Sequence, residues 1–240
     1  MGALLAAILL VPFQAQSEAD KLEAALKKFG DRKYQMFVEG KKSGTLFLKT
    51  RFEVEHGRKM AVFEDSVGEL KDEDKAREGA MTLRVALDGF RLISVKGASA
   101  SGKDELEIIN RDGVATIKSG GEEKTISVTP ATIAYMSMFR ILCVQEQKVG
   151  SVYKADVLDA RHLEKGHEFR CVSKETIEID GAKHEAFKWR QTWEGKVKIL
   201  DNELPCKVDN SYWVSPDGYL LRFAADADDR KEVSVMELAR

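Results

Sequence analysis

Four side chains in one short stretch are of the kinds that move protons or hold metals: Asp159, His162, Glu164 and His167. Carboxylates and imidazoles this close together could relay a proton or ligate a divalent cation. The spacing argues against a metal, because His162 and His167 stand five apart with no HExxH-like pattern to aim both rings at one ion. A second stretch, Gly97–Asp104, nearly spells a phosphate-binding loop. Asp104 stands where magnesium binding needs Ser or Thr, and a strand pattern follows where a helix N-terminus is required. This run reads as a flexible hairpin loop, and it also lacks the spacing of a nucleophile elbow. Asp226, Asp228 and Glu237 have the first, third and twelfth spacing of a calcium loop. Arg230 at the fifth position, and the lack of glycine at the sixth, make it an acidic exposed turn instead. His56 and His184 stand beside turns and read as surface residues. Catalytic residues, a metal and a cofactor are not expected.

The remaining candidates are aromatic: Phe187, Trp189, Trp193, Tyr212 and Trp213. Strand alternation puts Phe187, Trp189 and Trp193 on one face. Such a face either packs as core, the commoner use, or lines a groove for an apolar ligand.

The elements that would position these residues are mostly strands. Leu46, Leu48, Phe52 and Val54 alternate with Phe47, Lys49, Arg51 and Glu53, and Met81, Leu83, Val85 and Leu87 repeat the pattern. Asp88-Gly89, Asp112-Gly113, Asp180-Gly181, Glu194-Gly195 and Asp217-Gly218 supply turn signals between runs. Connections this short favour antiparallel neighbours. Leu70–Glu78 is densely charged and reads as a loop or a short exposed helical turn. Two segments break the two-residue period. Ser17–Phe29 carries an apolar stripe of Leu22, Ala25, Leu26 and Phe29, a helix that Gly30 can end. Thr129–Val144 carries Ile133, Met136, Phe139 (or Arg140) and Val144 at helical spacing, with Thr129 as N-cap and Pro130 at the first position.

At 240 residues and a formal net charge of -2, the chain has no basic stripe suited to nucleic acid. Ala3–Val11 is an unbroken apolar run. It is shorter than the roughly 20 residues that span a bilayer, and it fits the core of a secretory signal peptide cut after Ser17 or Ala19. With 1–17 removed, no transmembrane span is expected, and the mature protein is exported to the periplasm or the extracellular space. An oxidising compartment would let two of the three cysteines pair, with Cys171 and Cys206 the better candidates and Cys143 a buried apolar residue.

From the central segment onward the chain is similar to a group of bacterial cell-envelope proteins of unknown function. The likeness is carried by Phe139-Arg-Ile-Leu142, by Val149-Gly-Ser-Val-Tyr153, by the hairpin Ile179-Asp-Gly-Ala182, and by Tyr212-Trp-Val-Ser-Pro-Asp-Gly-Tyr-Leu-Leu-Arg222. It resembles the outer-membrane lipoprotein-carrier superfamily over its C-terminal half, which implies a strongly curved antiparallel sheet wrapped round helical plugs. Leu70–Glu78 and the Cys143/Cys171 pair depart from that pattern, and the resemblance supplies no catalytic residue.

The expected fold is therefore mainly β: a strongly curved antiparallel sheet or incomplete barrel with an N-terminal helix and a short central helix. Residues 18–240 are expected to form one β-rich domain, its halves 31–128 and 151–240 joined by the segment 129–144. The expected function is non-catalytic: binding of an apolar or envelope-derived ligand in the curved sheet. The alternative is a packed structural or protein-interaction module of the cell envelope that meets an envelope protein, and an enzyme without a recognisable motif comes third.

Overall fold

Alternation of apolar and polar residues makes nearly all of the chain after Arg32 extended, and tight turns fold each strand back on the last. The computed structural model describes residues 18–72, 75–99, 105–159, 162–199, 202–226 and 234–239. Residues 1–17, expected to be a leader, and Asp228, expected in an acidic turn, lie outside them. Helix α1 spans 18–29. There follow β1 (Arg32–Val38), β2 (Lys41–Glu55), β3 (Arg58–Asp72), β4 (Lys75–Ala86), β5 (Arg91–Ser99), β6 (Glu105–Arg111), β7 (Val114–Ser119) and β8 (Glu122–Ser127). The central segment holds β9 (Thr132–Ala134), a 3-10 turn (Tyr135–Ser137), α2 (Met138–Ile141) and a second 3-10 turn (Leu142–Val144). The chain closes with β10 (Val152–Leu158), β11 (Leu163–Ile179), β12 (Ala182–Ile199), β13 (Asn202–Val214), β14 (Leu220–Asp226) and β15 (Ser234–Leu238).

These strands form one curved sheet in the order β8-β7-β6-β5-β4-β3-β2-β1-β15-β14-β13-β12-β11-β10-β9. The halves join where β1 pairs antiparallel with β15, with Tyr34 opposite Leu238 and Met36 opposite Met236. The mainly-β expectation, with one N-terminal helix and a short central helix, matches this architecture. Asp112-Gly113 and Asp180-Gly181 show why the hairpins close. Their φ values are 50° and 84°, and 49° and 74°. Both central residues sit in the left-handed region, as a two-residue hairpin between right-twisted strands requires.

Several local expectations need correction. The central segment is not one helix capped by Thr129. Residues 132–134 instead form β9, which lies parallel to β10 with Ile133 opposite Val157. The β-branched pair Thr132-Ile133 favours an extended start, and the helical turn begins only at Tyr135. The described part of Leu70–Glu78, residues 70–72 and 75–78, extends the β3–β4 ladder, with Leu70 opposite Arg77 and Lys71 opposite Ala76. Glu194-Gly195 is no turn. It lies inside β12, where a Cβ on Gly195 would stand 2.3 Å from the Trp193 ring. The glycine makes room for an indole folded along its own strand. No disulfide joins the cysteines. Cys171 lies opposite Trp189 on one side of β12, and Cys206 lies opposite Gly195 on the other, six residues along.

The inner face of the sheet carries the main core. Leu48, Phe63, Phe169 and Trp189 from the strands meet Met138 and Leu142 from the central segment, all fully buried. Each such side chain contributes about 1.5–3 kcal/mol by leaving water. Helix α1 adds Leu26 and Phe29. Its end is fixed by Gly30 at φ 58°, whose N–H donates to Leu26 O at 3.1 Å. Its start is tied down by Lys59 Nζ, which donates to Asp20 Oδ1 and Glu23 Oε2 at 2.6 Å each.

Candidate functional site

Two buried polar assemblies flank the central segment, one in each half. The first is built on β11, β12 and β13, and the four residues from 159 to 167 begin it. His162 N–H donates to Asp159 Oδ1 at 2.7 Å. The Glu164 carboxylate lies between two rings, 2.9 Å from His162 Nε2 and 2.8 Å from His167 Nε2. His167 is buried, and its Nδ1 lies 2.8 Å from Gln191 Nε2. Gln191 Oε1 accepts from the Tyr212 hydroxyl at 2.6 Å and from Asn210 Nδ2 at 2.9 Å. Two donors at Oε1 fix which end of the amide is oxygen. Gln191 therefore donates to His167 Nδ1, and His167 carries its proton on Nε2, facing Glu164. The second N–H of Gln191 reaches Met138 Sδ in the plug at 3.4 Å.

Each polar group in this chain is satisfied by its neighbour. Burial raises the Glu164 carboxyl, but the hydrogen bonds from His167 and His162 outweigh it and leave the group below the ordinary carboxylate range. Burial pushes the Tyr212 phenol well above its ordinary value. Among the described residues no group of three His, Cys, Asp or Glu side chains is arranged to hold a metal ion. The geometry is that of a structural hydrogen-bond relay running from half-exposed His162 to the core.

The aromatic candidates separate into different places. Trp189 and Tyr212 are fully buried in the main core, and Trp189 Nε1 donates to Gln147 Oε1 at 2.9 Å. Phe187 is partly buried against the same core. Trp193 lies face to face with His167, ring centroids 5.2 Å apart and 7° from parallel, and its Nε1 donates to Lys165 O at 3.0 Å. Trp213 is on the opposite face, in a separate cluster with Ile179, Ala186, Leu221 and Ala224. It is held there between Lys188 Nζ and the Arg222 guanidinium, 4.8 and 5.1 Å from its ring, and it donates to Glu175 Oε1 at 2.6 Å. Alternation along β13 is the reason, since adjacent residues 212 and 213 must point to opposite faces. The five residues therefore do not line one groove.

The second assembly joins the plug to the N-terminal half. Arg140, on α2, is fully buried and makes a two-pronged contact with Asp65 on β3: Nη2 to Oδ1 at 2.5 Å and Nη1 to Oδ2 at 3.1 Å. Nη2 also donates to Lys49 O at 3.3 Å, and the guanidinium lies over the Phe63 ring at 4.3 Å. Arg140 Nε has no partner. Burial pushes the Asp65 carboxyl upward against the opposing pull of Arg140. Beside this pair is a cavity of about 270 Å³ on the inner face, lined by Leu46, Asp65, Val67, Gly79, Ala80, Met81, Gly97, Ala98, Leu106 and Met136. Among the described residues, Asp65 is its one ionisable lining residue.

The sequence reading missed both this pair and this recess. A signal for the pair exists: Asp65 falls on the dry register of β3, two residues from Phe63, and Arg140 falls within an apolar helical stripe. An ionisable group on each of two buried faces predicts that they meet. No comparable signal marks the recess, since it depends on which strands lie side by side.

Neither a protein-family model nor any curated protein matches the sequence. Solved structures do resemble the fold. A β-barrel-like protein of a domain family of unknown function from Brucella abortus superposes with a TM-score of 0.52 at 13% identity, covering 88% of this chain and 95% of the other. At that identity the likeness is one of fold alone. A provisionally exported protein with a YmcC-like fold from Bacteroides fragilis gives 0.41 at 11% identity, covering 87% and 92%. A provisionally described lipoprotein from Parabacteroides distasonis gives 0.41 at 9%, covering 88% and 96%. A TM-score of 0.41 is too low to relate the folds.

Proposed function

We propose that the chain is a non-catalytic, exported protein of the bacterial envelope that binds an apolar ligand at the inner face of its curved sheet. The observation that carries this reading is the recess beside Met136. It is a largely apolar recess of about 270 Å³, open to solvent at Ala80 and Ala98, where the edge of the main core meets the plug. A cavity removes packing partners from its lining and so lowers stability. Its volume lies just below the ~300–1,000 Å³ of typical small-molecule sites, which suits one chain of an amphiphile rather than a whole lipid. The buried polar groups of the C-terminal half bond to one another, which supports a binding role over a catalytic one. The apolar run Ala3–Val11 supports export.

The alternative, a packed interaction module, is favoured by the complete burial of Trp189 and Tyr212 under the plug. One experiment separates the two. The mature protein is isolated from its host, its N-terminus is sequenced, and an uncharged naphthylamine probe is titrated into wild type and Met136→Trp. The ligand-binding reading expects a start near Glu18 or Asp20 and saturable binding that Met136→Trp abolishes. A start at Met1 or Gly2 would remove the export part. Absence of saturable binding to wild type would leave the packed module.

A further inference from the structure

Most glycines of the chain have a reason to be glycine. Gly218 sits at φ 82° with Cys143 O only 2.8 Å from where a Cβ would stand, and Gly195 lies beneath the Trp193 ring. Gly68, Gly79 and Gly97 are different. All three lie inside strands, none takes a left-handed φ, and none is crowded. Gly68 faces Phe47 on the outer side of β3, whereas Gly79 and Gly97 lie on the inner side. Among the described residues, a Cβ on Gly79 would meet only Ala98 O, at 3.8 Å. A Cβ on Gly97 would meet Met81 Cε at 3.5 Å and Ala80 O at 3.7 Å, ordinary contact distances. Glycine within a strand weakens it, and it commonly marks a place where another molecule comes close to the backbone. Both glycines line the recess, in register with its other walls: Gly79 is opposite Val67, and Gly97 is opposite Met81 and Leu106.

Electrostatics narrows the occupant. Among the described residues the single ionisable wall residue is Asp65, and its charge is met by Arg140 in a two-pronged pair. The described wall thus carries no uncompensated charge, and an ionic group entering it would be desolvated without a counter-charge there. A neutral site complements a neutral occupant.

We infer that Gly79 and Gly97 are specificity determinants of the recess: they keep open a slot for an unbranched, uncharged hydrocarbon chain, such as the acyl chain of an amphiphile whose head stays outside. This inference rests on the recess being the ligand site. Without side chains at 79 and 97 the slot is bounded by Leu106, Met81 and Met136, and the flexible thioethers of the two methionines can follow a linear chain. Branched side chains at either glycine would occupy the space the chain needs.

The test uses decanol carrying a nitrobenzoxadiazole label at its head end. It is titrated into wild type, Gly79→Val, Gly97→Val, Gly97→Ala and the outer-face control Thr82→Val, with unlabelled decanol and adamantanol as competitors. Wild type and Thr82→Val should bind the labelled chain equally, and decanol should compete far better than the bulky adamantanol. Gly79→Val and Gly97→Val should each lose about 10–200-fold in affinity, the range for a changed methylene in an apolar pocket. Their denaturation midpoints should hold or rise, as should that of Gly97→Ala. Unchanged affinity in both valine variants overturns the inference while leaving the ligand site in place. A fall in midpoint for Gly97→Ala also overturns it, because the fold and not a ligand would then require the glycine. Failure of wild type to bind the labelled chain, while it binds the naphthylamine probe, overturns the chain-shaped occupant. Failure to bind either overturns the proposed function with it.

Discussion

The two halves of the sheet solve the same burial problem in opposite ways. In the C-terminal half, a chain of hydrogen bonds from the Glu164 carboxylate through His167 and Gln191 to Tyr212 reaches the core, and its members satisfy one another. In the N-terminal half, a full ion pair, Arg140–Asp65, sits beside an unfilled space, and Arg140 Nε is left without a partner. A buried ion pair contributes little net stability, because desolvation consumes most of its attraction, whereas a fully satisfied hydrogen-bond network rigidifies its surroundings. The half that has the recess is thus also the half with the less favourable polar arrangement. On the proposed reading, ligand binding belongs to the half with the recess, and the other half acts as its frame.

The largest test of this contrast is a pair of truncations. Trp189→Ala should cost roughly 3–5 kcal/mol, as for a buried aromatic in a packed core. Met81→Ala, at the recess wall, should cost clearly less than the ~2–5 kcal/mol of a fully packed methionine, since part of its surface already faces space. Urea melts of both variants measure this, and equal losses would show that the halves are packed alike.

Next comes the ion pair. Asp65→Ala leaves the Arg140 guanidinium buried without its counter-charge and should cost about 3–5 kcal/mol. The double variant Asp65→Leu/Arg140→Met should cost less than either single change, because both charges go together. A double variant that loses as much stability as the worse single change would mean that the pair is a stabilising anchor in its own right, and the contrast between the halves would fail.

The smallest expected effect is on pH. In the C-terminal half Glu164, Glu175 and Asp209 lie below their ordinary values of 4.5, 4.5 and 3.8. Burial raises Glu164 against the hydrogen bonds of two histidines. The hydrogen bond from Trp213 chiefly lowers Glu175, and that from Arg190 chiefly lowers Asp209. Carboxyls lowered in the fold contribute stability that is present above their unfolded values and is lost as the pH falls through the folded ones. Asp65 shifts upward by burial, so acid does not weaken the N-terminal half through it. Hydrogen exchange below pH 4.5 should therefore show β11–β13 losing amide protection before β2–β5. The reverse order would break the comparison. At the alkaline end both halves should weaken, since burial raises Tyr34, Cys143 and Tyr212. Groups raised in this way lose their contribution as the pH climbs past their unfolded values of 10.0 and 9.0.

Much of the scaffold was legible in the residues alone, because its causes are local. The two-residue period of Met81, Leu83 and Val85, the Asp-Gly turns at 112 and 180, and the stripe of Leu26 and Phe29 ended by Gly30 each depend on neighbours within a few positions. These produce strands, hairpins and one helix whatever the rest of the chain does. Local signals failed where a distant group set the outcome. Gly195 looked like a turn until the Trp193 ring was seen to need its missing side chain. Thr129–Val144 looked like one helix, but β10 offered Thr132–Ala134 a parallel partner first.

The binding face shows the same division. Sequence determined that aromatic residues would gather in the C-terminal strands. Only the tertiary structure decided that Trp213 faces away from Tyr212, that Arg140 meets Asp65 across 75 residues, and that empty space lies instead between Met81, Leu106 and Met136. A side chain's direction follows from its own strand, but a cavity is the space left between elements. That space depends on register and on the depth to which the plug is seated, and both are set by contacts made between residues far apart in the chain.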